Sequence, residues 1–98
     1  SAASDVYKRQ IGDRFRENTS EEQKIFLRRL SKYLEECEWS QDSIREMIKE
    51  CTNICEIVPR DGFSALYWAL LGRGDGPRAS ALISEMERRA LIDLLSGV

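Results

Sequence analysis

The sequence predicts an all-α fold built from short helix pairs. Three observations point to it: two capped segments with apolar residues at helical spacing, a third segment apolar on nearly every side, and no strand-like run of useful length.

The first helix is expected over about residues 21–37. Ser20-Glu21-Glu22-Gln23 has the form of a capping box, in which a hydroxyl and an amide side chain satisfy the free amides of a helix start. Phe26, Leu30, Tyr33, Leu34 and Cys37 then recur at three- and four-residue steps. Ser40 offers a second N-cap, and Ile44, Met47, Ile48 and Cys51 repeat the stripe. From Thr52 to Phe63, β-branched residues, Pro59 and the pair Asp61-Gly62 favour an extended excursion and a reversal. Ser64 is the expected cap of a short third helix, Ala65 to Leu71, with Trp68 in the core. The run Gly72-Arg73-Gly74-Asp75-Gly76 ends it, since three glycines make continued helix costly. Pro77 suits the first position of a fourth helix carrying Leu82, Ile83, Met86, Ala90, Leu91, Leu94 and Leu95.

Ninety-eight residues allow one domain with a small core. A hydrophobic share of 42% against 33% charged is a globular balance, too interrupted for a membrane span. The net charge of −2 is spread among mixed signs, leaving no basic face to displace counterions from a phosphate backbone. The expected partner is therefore a protein, with no nucleic acid, no membrane and no small-molecule substrate. Arg28-Arg29 and Arg88-Arg89 read as solvated faces with ion pairs along the helix. Three cysteines, Cys37, Cys51 and Cys55, are an odd set that suits a reducing, cytoplasmic setting. The chain contains no histidine, and Cys51 and Cys55 read as small apolar groups one turn apart, so no metal or cofactor is expected.

The first ten residues read as a non-native, disordered leader. Asp5-Val6-Tyr7-Lys8-Arg9-Gln10 is what GATGTGTATAAGAGACAG encodes, a string that resembles a transposon end used to tag DNA for sequencing. Residues 11–98 are then one helical domain or a fragment of a longer repeat array.

Asp61-Gly62-Phe63-Ser64-Ala65-Leu66-Tyr67-Trp68-Ala69 resembles the opening of an ankyrin repeat, which reads Asp-Gly-x-Thr-Pro/Ala-Leu-His-x-Ala in that family. Ile44 to Ile54 looks like the second helix and exit loop of an earlier repeat, starting near Ser31 at the family's period of about 33 residues. The match covers roughly residues 31–87. It departs at Glu36, Pro59 and Leu70 and in the long glycine loop. The resemblance implies a stack of helix pairs, a non-catalytic protein-interaction module, and contact residues Arg60, Asp61, Phe63 and Leu71. A compact four-helix bundle of death-fold type, used for homotypic assembly, is the alternative; it would bury the Phe26, Ile48 and Leu91 stripes against one centre. Val58-Pro59-Arg60-Asp61-Gly62 also resembles the nucleophile turn of ovarian-tumour-type deubiquitinases, but Ser64 stands where their cysteine would be, so no enzyme is expected. Arg73-Gly74-Asp75 matches the tripeptide read by integrins and is taken as an inter-helix loop.

Overall fold

The computed structural model describes residues 13–98. Six helices follow one another, and no strand occurs among the described residues. They are α1 (residues 13–18), α2 (Glu21–Leu34), α3 (Gln41–Ile54), α4 (Pro59–Leu71), α5 (Ala79–Ser84) and α6 (Arg88–Ser96). The all-α expectation holds. The expected leader, residues 1–10, lies outside the described residues.

Local chemistry sets the starts of α2 and α3. The Ser20 hydroxyl accepts from the Gln23 amide at 3.2 Å while the Ser20 amide donates to Gln23 Oε1 at 2.7 Å, completing the capping box. Ser40 caps α3 by accepting from the Ser43 amide. α2 stops at Leu34, one turn short of the expected end, and buries Phe26, Leu27, Leu30 and Leu34 while Tyr33 stays 37% exposed.

α3 ends in a Schellman reversal. The Ile57 amide donates to the Thr52 carbonyl and the Glu56 amide to the Asn53 carbonyl, with Glu56 in the left-handed region at φ 58°. This turn replaces the expected extended excursion, because Pro59 then occupies the first position of α4, where its fixed φ and missing amide cost nothing. α4 thus begins five residues before Ser64, and Gly62 lies inside it rather than in a turn. Gly62 is a packing residue: a Cβ there would sit 2.6 Å from Thr52 Cγ2 and 3.1 Å from Phe26 Cζ.

The expected fourth helix is two. α5 begins at Ala79 rather than Pro77, and the chain breaks at residues 85–87 before the Glu87 carboxylate caps α6 by accepting from the Ala90 amide at 2.7 Å.

The arrangement corrects the stacked reading. A repeat stack buries surface only between neighbouring units, whereas α2 packs on α3, α4 and, most extensively, α6 from the far end of the chain. Phe26, Ile48 and Leu91 share one core with Phe15, Leu66 and Ile83. The common-centre geometry weighed for the bundle is what the helices adopt. No described helix is long and apolar enough to cross a membrane.

Candidate nucleic-acid interface

The segment between α4 and α5 is a strap laid over the end of α4. Gly72 opens it in the left-handed conformation, φ 69°, with its amide donating to the Trp68 carbonyl at 3.2 Å. The strap then alternates glycine with charge. At Gly74 a Cβ would lie 3.2 Å from Trp68 Nε1, and at Gly76 it would lie 2.6 Å from Leu71 Cδ1 and 3.2 Å from Tyr67 Cδ1. Gly74 and Gly76 therefore form the inner side against Trp68, Tyr67 and Leu71. Arg73, Asp75 and Arg78 are exposed.

Both ends of the strap are tied. The Tyr67 hydroxyl donates to the Pro77 carbonyl at 2.6 Å, and the Arg14 guanidinium from α1 donates to the Gly72 carbonyl at 3.4 Å. Three arginines, Arg14, Arg73 and Arg78, are thereby grouped around one strap whose only acid is Asp75, and none of the three takes part in an ion pair among the described residues. Trp68 and Tyr67 beside them are half-buried rather than enclosed, which corrects the expectation of Trp68 as core.

Arg60, Asp61, Phe63 and Leu71 are divided between the two ends of α4. Arg60 and Asp61 are exposed in the first turn, where the Asp61 carbonyl accepts from Gln23 Nε2 at 2.9 Å. Phe63 is half-buried against the core. Leu71 lies about 12 Å further along the axis, under the strap at Gly76. Sequence reasoning read Trp68 as core and Arg73 as part of an inter-helix loop, and left Tyr67, Trp68 and the arginines of the strap out of its binding surface. The signal that was present is the spacing of Gly72, Gly74 and Gly76, which marks an extended segment with one bare side.

The other arginine pair divides in two. Arg89 is exposed and pairs with Glu35 and Asp93, as a solvated face should. Arg88 is half-buried over the Trp39 ring, 4.9 Å from its centroid, and is structural.

A small helical domain that gathers arginines beside half-open aromatic rings has the features of a nucleic-acid-binding module, since guanidinium forks match phosphate and exposed rings stack on bases. A model of the anticodon binding domain family matches residues 4–93, and the chain belongs to that family. It is similar to a lysine–tRNA ligase of Methanococcus maripaludis, 32% identical over 76 residues that cover 78% of this chain and 14% of that protein. It is also similar to a lysine–tRNA ligase of Picrophilus torridus, 26% identical over 81 residues covering 83% and 16% respectively. The chain thus spans less than a fifth of the length of the curated relatives it matches. No solved structure gives a significant match.

These findings overturn the ankyrin and death-fold readings and the protein-interaction function that followed from them. They also overturn the exclusion of nucleic acid, and the expectation of a protein outside any enzyme family, because the relatives are ligases. The physical reason for the charge error is that a whole-chain sum averages over the surface. Acids elsewhere cancel the local excess of arginine at the strap.

Proposed function

We propose that this chain is the anticodon-binding part of a lysine–tRNA ligase and that it holds the tRNA through the strap between α4 and α5. The observation that carries the reading is the family match over residues 4–93, and the arginine and aromatic grouping supports the strap as the contact. Anticodon bases lie in a single-stranded loop, and single-stranded RNA is recognised by splayed bases stacked on rings and hydrogen-bonded at their edges. Trp68 and Tyr67 offer the rings. Arg73, Arg78 and Arg14 offer the forks for phosphates, which hold the loop in register while base contacts choose the sequence.

Residues 11–98 form the tRNA-binding domain in this reading, and joining lysine to tRNA falls to the rest of a longer parent ligase. Such a protein works in the cytoplasm, where its three free cysteines stay reduced.

The test is binding of the 98-residue chain to a lysine tRNA transcript and to the same transcript with altered anticodon bases, read by fluorescence anisotropy over a range of salt. The native transcript should bind more tightly. Arg73→Ala should weaken both and flatten the salt dependence by about 0.7 to 0.9 in log–log slope, the value for one lost phosphate contact. Equal affinity for both transcripts and an unchanged slope in Arg73→Ala would remove the assignment.

A further inference from the structure

The strap lacks helical hydrogen bonds between Gly72 and Arg78, so its path is set by what it rests on. Its inner side is Gly74 and Gly76, lying against two rings and Leu71. Such a contact carries little shape of its own to fix the register along the surface. Two side-chain hydrogen bonds do so: Arg14 holds the Gly72 carbonyl at the near end, and Tyr67, in the last turns of α4, reaches Pro77 ten residues on and donates to its carbonyl at 2.6 Å at the far end. Proline has no amide, so the peptide unit of Pro77 enters the ladder of neither helix from its nitrogen side. Its carbonyl is the free handle of the strap, one residue before Arg78.

We infer that Tyr67 is a positioning residue for the strap: its hydroxyl latches Pro77 and thereby fixes the separation of Arg73 from Arg78. The two arginines stand on either side of the latch, with Gly74 seated on Trp68 at one end and Pro77 held by Tyr67 at the other. The latch is a property of the free protein. Its consequence, a preorganised spacing of two guanidinium forks for successive phosphates of an RNA loop, rests on the tRNA-binding reading of the same face. Preorganisation removes the ordering cost that a loose segment meets on binding.

Tyr67→Phe keeps the ring that packs on Gly76 and removes only the donor. Two readouts on the 98-residue chain separate the latch from its consequence. The first is native-state trypsin cleavage after Arg73, mapped by mass spectrometry, which follows the population of opened strap. It should rise about fivefold in Tyr67→Phe, the equivalent of one ordinary hydrogen bond. The second is affinity for the lysine tRNA transcript, which should fall about fivefold with the salt slope unchanged, because no phosphate contact is lost. Gly74→Ala, which adds a methyl 3.2 Å from Trp68 Nε1 with Tyr67 intact, should move cleavage and affinity by less than Tyr67→Phe does. Cleavage at the wild-type rate in Tyr67→Phe overturns the latch. Faster cleavage in Tyr67→Phe beside wild-type affinity for the transcript overturns the preorganised spacing. Faster cleavage in a chain that binds no tRNA upholds the latch and overturns the functional reading instead.

Discussion

Arg88 and Trp39 hold each other while each grips the other's segment of chain. The guanidinium lies 4.9 Å from the Trp39 ring centre and donates to the carbonyls of Cys37 at 2.8 Å and Glu35 at 3.3 Å. The Trp39 indole in turn donates to the Met86 carbonyl at 3.1 Å. Orphan carbonyls past the end of α2 and in the break before α6 are satisfied by the same two side chains. The pair therefore clasps the α2–α3 connection to the α5–α6 corner.

Breaking this clasp should be costly where breaking its neighbour is not. Arg88→Ala should lower stability by about 2 kcal/mol, from the stacked cation and two charge-assisted bonds. Arg88→Lys should recover less than half, since an ammonium cannot match the planar fork. Arg89→Ala, which loses only exposed ion pairs, should stay within about 0.5 kcal/mol of the parent. Urea denaturation of the three variants decides it, and equal losses at 88 and 89 would show that the clasp contributes nothing.

Gly62 and Thr52 make a test of close helix packing. Gly62→Ala places a methyl 2.6 Å from Thr52 Cγ2 and should cost about 1 to 3 kcal/mol, the usual penalty for overfilling a tight core. Thr52→Ser removes that methyl and keeps the hydroxyl bond to the Lys49 carbonyl. The double variant should therefore regain much of the loss. Additive effects in a double-mutant cycle would mean that Gly62 is needed for something other than this approach.

Glu56 occupies the left-handed position of the α3 Schellman turn without the freedom of glycine. Glu56→Gly relieves a conformation that costs an L-residue about 1 to 2 kcal/mol, offset in part by the greater entropy of the unfolded chain. A net gain of about 0.5 to 1 kcal/mol in thermal or urea unfolding is expected. A loss would show that the Glu56 side chain itself supports the turn.

Cys51 should be chemically quiet in the folded protein. Burial, and then the adjacent Cys55, push its thiol up from 9.0 to about 12, so almost no thiolate exists at neutral pH. Iodoacetamide should label Cys51 far more slowly in the native protein than in urea. The sign for stability follows: the neutral thiol favours the fold, so its contribution is complete below pH 9 and is lost as pH rises from 9 towards 12. Replacing Cys51 with Ala should remove that alkaline loss; its persistence would assign the loss to another group.

How much of this was legible follows the range of the interactions. The Ser20–Gln23 box and the Ser40 cap depend on residues three apart, and both stand where the sequence places them. Gly62 was misread because Asp-Gly has the chemistry of a turn, while its helical role depends on Phe26 and Thr52, which only the fold brings near. Trp68 looked fully enclosed because α4 is apolar on most of its sides, yet one of those sides is covered by a glycine strap rather than by another helix. The proposed nucleic-acid face escaped for a related reason. Net charge is a sum over the chain, and Arg14 joins Gly72 only through the tertiary fold.

The place of α2 carries a consequence for how the chain is made. Phe26, Leu27, Leu30 and Leu34 are synthesised before the wall that closes over them, which includes Leu91 and Leu95. Until α6 leaves the ribosome, those side chains have no cover on that side. A nascent chain that stops short of α6 therefore exposes one apolar face of α2. Because α2 and α6 must meet before either is secure, this core is not closed until α6 has been translated.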